Sequence, residues 1–332
     1  MTNPAAPLVD VRGLTVEFTA DARPVRAVSN LDLTLGRGEV LALIGESGSG
    51  KTVTLRALMR LLPPKRTTIG GSVTVDGRDV LALAPGPLAD YRGRIVSMVF
   101  QEPGLAFDPV FRLGEQIAEA VVRHEGISYR EGRKRALDLF ERVRIPSAAR
   151  RLDNYPHELS GGMRQRAMIA LALSCRPKVL LADEPTTSLD ATVQIQILLL
   201  LRELQRELGL AVIFVTHDIG VAIEVADRIA VMYAGRMVES GSCRDVIRNP
   251  SHPYPRGLLA SRPGAGLVKG TRLQTIPGGP PDLADLPPGC AFQPRCHLAA
   301  AGCSASVPPN FTVATHHTAR CFRLGDEMAA AG

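Results

Sequence analysis

Gly45-Glu46-Ser47-Gly48-Ser49-Gly50-Lys51-Thr52 is the stretch on which the reading of this chain turns. It fits the spacing G-x-x-x-x-G-K-[ST]. An apolar run at residues 39–44 (EVLALI) precedes it, and a stretch of helical periodicity at residues 51–62 follows it and stops at Pro63-Pro64. Glycines let successive backbone N–H groups turn inward around phosphate oxygens. The helix that begins there adds the positive end of its dipole. In that setting Lys51 supplies a charge for the β- and γ-phosphates, and Thr52 Oγ a ligand for Mg2+. The competing reading is a glycine-rich turn beside a surface lysine, which leaves the flanking strand and helix unexplained.

Downstream, Val179-Leu180-Leu181-Ala182 reads as a buried strand that delivers two carboxylates, Asp183 and Glu184, at its C-terminal end. Such a strand is the second half of a phosphate-loop site. Asp183 can hold Mg2+, and Glu184 can orient or deprotonate an attacking water. A helix-capping acid pair before Pro185 is the bland alternative, and it weakens once the phosphate loop stands beside it. His217 follows the apolar strand at residues 211–215, placed to contact a γ-phosphate. Strands are also expected at 8–18 and 95–100, and helices at 161–174, 193–208 and 217–226. A hairpin is expected around Ala234-Gly235. Strands alternating with helices give an α/β fold with a largely parallel sheet.

The chain has 332 residues, enough for one large or two ordinary domains. Its 45% hydrophobic and 22% charged residues exclude a disordered chain. A net charge of +6 is too mild to imply nucleic acid, and 4% aromatics with no Trp argue against a stacking platform for single strands. No apolar run reaches membrane-spanning length, and the N-terminus has no signal-peptide pattern. The expected location is the cytosol, or a membrane surface reached through partners. Composition shifts near residue 250. Residues 251–332 hold 11 of the 25 prolines and four of the six cysteines, which marks a separate loop-rich unit.

At Leu159-Ser160-Gly161-Gly162-Met163-Arg164-Gln165-Arg166 the chain resembles the signature of ATP-binding cassette (ABC) ATPases. Six motifs follow in that family's order: the loop at Gly45, Gln101 after a strand, the signature, Asp183-Glu184, Ser188-Leu189-Asp190, and His217. The resemblance implies an ABC-type P-loop NTPase domain over residues 1–250, with a RecA-like core, an antiparallel β subdomain and a helical subdomain. It implies that Gly45, Glu46, Ser47, Gly48, Ser49, Gly50, Lys51 and Thr52 bind ATP, with Phe18 stacked on adenine. Thr52, Gln101 and Asp183 would hold Mg2+, and Lys51, Gln101, Glu184 and His217 would serve hydrolysis. Ser160, Gly161 and Gly162 would cap the ATP held by an opposite subunit. Met163 departs from the family, which often has Gln there.

Gln101-Glu102-Pro103, Phe107-Asp108-Pro109, His252-Pro253-Tyr254 and residues 288–296 (PGCAFQPRC) resemble the oligopeptide/dipeptide importer branch, whose C-terminal extension carries similar cysteines. The likeness weakens at residues 277–286. It implies a peptide-importing ATPase subunit at the cytoplasmic face of the membrane. Its partners would be a second, related ATPase (a heterodimer), two transmembrane permeases and an extracytoplasmic solute-binding protein. Residues 102–116 would form the groove for a permease coupling helix. Nickel chelates, glutathione or sugars are alternative cargo, and a soluble ABC-type ATPase acting on nucleic acid or ribosomes is the reading from another class. Cys290, Cys296, Cys303 and Cys321, spaced C-x5-C-x6-C-x17-C, suit a [4Fe–4S] cluster, which some members of the branch carry there. Zinc, with His297, His316 or His317 in play, and unligated or disulfide-forming thiols stay open.

Overall fold

The computed structural model describes residues 6–19, 23–187, 189–261 and 275–324. It forms two compact units woven from separate stretches of chain. One comprises Met1–Val9, Leu35–Glu39 and Thr74–Val215; the other comprises Asp10–Thr34, Val40–Val73 and Thr216–Gly332. The composition shift near residue 250 is not where this division falls. The C-terminal extension belongs to the same unit as the phosphate loop.

In the phosphate-loop unit, strands Val25–Leu35, Val9–Phe18 and Thr67–Val75 lie side by side in that order. A second set runs Phe311–Ala314, His317–Ala319, Arg236–Ser242, Arg228–Tyr233 and Val40–Ile44. Only the last two of these pair in parallel, with Leu41 opposite Arg228 and Ile44 opposite Val231. Val40–Ile44 is buried along its whole length, as a continuous apolar run requires. The expected hairpin forms: Ala234 and Gly235 take φ of 47° and 77°, the doubly left-handed turn that matches strand twist. The extension adds its strand His317–Ala319 to Arg236–Ser242, and Tyr254 and Phe292 to a core around Ile44, Val231 and Tyr233.

In the other unit, strands Val96–Val99, Val179–Asp183 and Ala211–Thr216 pair in parallel and in register from Val179 opposite Ala211 to Asp183 opposite Val215. Helices Leu113–Glu125 and Tyr129–Arg142 pack on each other. Gly126, at φ 70°, ends the first, and Ser128 starts the second: its Oγ accepts from Glu131 N at 3.3 Å while Glu131 Oε2 accepts from Ser128 N at 3.0 Å. Helices Gly161–Leu173 and Ala191–Leu208 follow.

Two helix ends differ from expectation. The helix expected over 51–62 ends at Leu58, because Arg60 turns left-handed (φ 49°) two residues later. The helix expected from His217 begins at Ile219, capped by Asp218 Oδ1, which accepts from Gly220 N at 2.7 Å.

Candidate functional site

The buried strand Val40–Ile44 delivers the loop, and helix Lys51–Leu58 leaves it. Two glycines are obligatory by space. A Cβ on Gly45 would stand 2.2 Å from Met232 O, and one on Gly50, itself at φ 98°, would stand 2.5 Å from Ala27 O. Lys51 is only 5% exposed. Its Nζ folds back over the loop and donates to Gly45 O at 2.7 Å and Glu46 O at 2.9 Å. A buried ammonium costs free energy unless paired, and here carbonyl oxygens hold it at the mouth of the loop. No side chain caps the helix that Lys51 opens, and its first turn carries no acid. The start of this helix carries the positive end of its dipole, which favours an anion there.

The loop's outer side is braced by the extension. Glu46 N donates to Tyr254 Oη at 2.8 Å. Glu46 Oε2 and Oε1 accept from Arg295 Nη1 and Nη2 at 2.7 and 3.1 Å, a two-pronged pair. Burial works against the Arg295 charge, but hydrogen bonds to Glu46 and Tyr233 outweigh it and raise its pKa. His217 stands exposed just after strand Ala211–Thr216, and Phe18 is half-buried at the end of Val9–Phe18.

In the other unit Asp183 closes its strand and is 3% exposed. Glu184, the next residue, sits at φ 44°, left-handed for a non-glycine. Its N donates to Val215 O at 3.0 Å, and Thr187 Oγ1 donates to its Oε2 at 2.8 Å. Gln101 is exposed, beyond strand Val96–Val99. After it, Leu105, Val110 and Phe111 are 78%, 69% and 54% exposed, while Gln116 braces the loop through Asp108 and Phe111. Ser160 opens the helix Gly161–Leu173: its Oγ accepts from Met163 N at 3.4 Å, with Gly161 exposed and Gly162 half-buried beside it. A Cβ on Gly162 would meet Val193 Cγ1 at 2.8 Å. Ser188 lies outside the described residues.

Cys290, Cys296, Cys303 and Cys321 carry free thiols and line one small cavity with His252 and Phe292. Cys290 N donates to Cys303 O at 2.8 Å, which ties the first and third together. Burial, then neighbouring thiols, push Cys290 up to about 11, and burial also raises Cys296 and Cys321. Among the described residues no group of three or more His, Cys, Asp or Glu side chains is arranged to hold a metal ion. His317 is committed elsewhere: its Nε2 shares a hydrogen bond with buried Glu239 Oε1 at 2.8 Å.

Sequence reasoning placed the loop, the acidic strand end and the capped signature helix. It did not find Tyr254 and Arg295 as partners of the loop, although both lie in stretches singled out as family markers. No local pattern links residues 249 positions apart.

Comparison with known proteins agrees with this anatomy. The ABC transporter family matches residues 28–187, and the family "Oligopeptide/dipeptide transporter, C-terminal region" matches residues 238–303. A putative peptide import ATP-binding protein of Brucella melitensis biotype 1 is 49% identical over 335 residues, covering 98% of this chain and 99% of that protein. One from Brucella abortus (strain 2308) is 48% identical over 303 residues, covering 91% of each. Among solved structures, the ATP-binding cassette MJ0796, dimeric in a post-hydrolysis state with ADP and phosphate, is 30% identical with a TM-score of 0.64, covering 71% of this chain and 99% of that one. The cbiO1 protein of Clostridium perfringens, part of an ABC transporter complex, is 27% identical with a TM-score of 0.62, covering 73% of this chain and 91% of that one. On these matches this chain belongs to the ABC transporter family, in the branch that carries the oligopeptide/dipeptide transporter C-terminal region.

Proposed function

We propose that this chain is the ATP-hydrolysing subunit of an importer for di- and oligopeptides, with residues 1–250 as its ATPase domain and 251–332 as its extension. The observation that carries the reading is Lys51, buried at the mouth of a loop in which Gly45 and Gly50 leave no room for a Cβ. Residues 45–52 hold the phosphates. Lys51 exchanges loop carbonyls for the β- and γ-phosphates, so its charge stays paired in both states. Glu184, held by Thr187, orients the attacking water, and His217 contacts the γ-phosphate. Thr52, Gln101 and Asp183 would hold Mg2+, which neutralises charge on the phosphate oxygens. Ser160, Gly161 and Gly162 cap the nucleotide of a second, related ATPase subunit, so each site is shared by two chains.

The exposed apolar side chains Leu105, Val110 and Phe111 fit a permease coupling helix at residues 102–116. Among the described residues no helix is long and apolar enough to cross a membrane, which suits a subunit bound to the cytoplasmic face through two permeases and fed by a solute-binding protein. The energy source is ATP's differential affinity for the closed pair. The four tail thiols line one cavity. Soft sulfur donors at their sequence spacing are the ligand type of a [4Fe–4S] cluster, preferred on that ground over zinc or unligated thiols. Cys290, Cys296, Cys303 and Cys321 would hold such a centre, whose iron would favour the thiolate form of these thiols. Anaerobic purification with a visible spectrum and iron, sulfide and zinc analysis tests it; a colourless, metal-free protein overturns it.

The test of function is reconstitution with the two permeases and the partner ATPase in vesicles. Peptide-stimulated ATPase activity is expected, lost at least about 100-fold in Lys51→Ala. Stimulation by nickel chelates or glutathione and not by peptides would change the cargo. Salt-sensitive binding to nucleic acid with no permease-dependent activity would favour the soluble alternative.

A further inference from the structure

Beside the phosphate loop lies a cavity of about 330 Å3 that the ATPase domain does not enclose alone. Ser47, Gly48 and Ser49 of the loop contribute to it, with Val25 from the strand Val25–Leu35. The rest is closed by residues 280–283 of the extension, Pro280-Pro281-Asp282-Leu283. Phe18 is not among its lining residues. The volume falls within the range of small-molecule sites, about 300–1,000 Å3.

Arg295 holds this wall and the loop in one frame. Its guanidinium has five N–H donors, and each has a partner. Nε donates to Pro277 O at 2.8 Å, and Nη1 to Glu46 Oε2 and Tyr233 Oη at 2.7 and 3.3 Å. Nη2 donates to Glu46 Oε1 and Gly278 O at 3.1 and 3.3 Å. The side chain is 8% exposed. Pro277 and Gly278 lead directly into the wall, whose turn is set by Asp282 Oδ1 accepting from Ala284 N at 2.9 Å. A buried fork with every donor used fixes two backbones in register, which a lysine cannot do.

We infer that residues 280–283 of the extension form one wall of the nucleotide site and contact the nucleoside of the nucleotide whose phosphates the loop holds, with Arg295 as the positioning residue. The inference rests on the phosphate-loop reading above. Charge selects the occupant. Asp282 repels phosphate, Arg295 neutralises Glu46, and prolines, Leu283 and Val25 offer apolar surface, so this end of the cavity suits a base and ribose. The loop residues in the same lining make it continuous with the anion site.

The full-length chain is titrated with Mg-ATP and with Mg-tripolyphosphate, which has the phosphates and no nucleoside. Pro281→Ala and Leu283→Ala are expected to weaken ATP about 5–10-fold and to leave tripolyphosphate within about twofold. Arg295→Met and Glu46→Gln, acting through the loop, are expected to weaken both ligands, and the double variant to be no worse than the single ones. Wall variants that bind ATP as the wild type does, or that weaken both ligands equally, overturn the wall. Multiplying effects in the double variant, or no effect in either single one, overturn the positioning role. A wild-type chain that binds neither ligand, or a Lys51→Ala chain that binds both normally, overturns the phosphate-loop reading itself.

Discussion

Glu184 occupies a backbone conformation that costs a non-glycine residue about 1 kcal/mol. Strain of that kind persists where the surroundings over-determine a residue, and Val215 O and Thr187 Oγ1 do so here. Glu184→Gln keeps the shape and the Thr187 contact but cannot accept a proton. Turnover is expected to fall at least about 100-fold while ATP affinity stays within about threefold, read by ATPase assay and equilibrium binding. Normal turnover by that variant would remove Glu184 from its assigned role. A second residue contributes to acid sensitivity. His252 is 2% exposed, its Nδ1 accepts from Tyr254 N at 3.0 Å, and burial, with nearby Arg256, lowers its pKa to about 3. The unfolded chain takes up a proton near pH 6.5 that the native protein refuses until about pH 3, so stability declines as pH falls through that window. The contribution is about 2 kcal/mol between about pH 6.5 and about pH 4.5. Asparagine retains a capping acceptor without a titrating ring. Urea melts of His252→Asn should show a shallower acid limb than wild type, and an unchanged limb would contradict the assignment.

Elements differ in how plainly the sequence announces them. The phosphate-loop strand and helix, the acidic strand and the Ala234-Gly235 hairpin are local in cause: apolar runs, left-handed glycines and a cap. Helices Leu113–Glu125 and Tyr129–Arg142 carry equally local signals, Gly126 and the Ser128/Glu131 capping box, but these mark helix ends and no chemistry. Strand Val25–Leu35 alternates less cleanly, since Asn30 takes φ 49° within it. Within the candidate site, Lys51, Asp183 and Ser160 were legible for the same local reason. The bracing of Glu46 by Tyr254 and Arg295 was not, because it depends on where the extension folds back. At this scale the signature helix offers a test that separates support from chemistry. Ser160 caps it through one long contact of 3.4 Å. Ser160→Ala is expected to cost only about 0.5–1 kcal/mol of stability. ATPase activity of the assembled transporter should nevertheless drop about 10-fold or more, if the hydroxyl serves the partner's nucleotide. Parallel losses in melting and activity would mark it as a cap alone.

For the molecule as a whole, the extension is structural before it is anything else. It supplies the strand His317–Ala319, and it places Tyr254 and Phe292 against Tyr233, with Tyr233 and Tyr254 ring centroids 4.7 Å apart. Glu239, 1% exposed, spends its carboxylate on Ser251 N, His252 N and His317 Nε2, all beyond the strand that carries it. A chain ending at residue 250 would leave that buried carboxylate without most of its partners and uncover the aromatic cluster. Such a truncation is expected to be poorly soluble and to melt at least about 10 °C lower, measured by calorimetry and sedimentation. A well-folded monomer of unchanged melting point would refute this.

The join between Glu46 and Arg295 has a consequence for synthesis. The loop leaves the ribosome about 249 codons before the arginine that braces it. A nascent or prematurely terminated polypeptide therefore carries every local motif for gripping a triphosphate and still lacks the finished cradle. The brace on Glu46 can close only after residue 295 has been made, late in the synthesis of the chain.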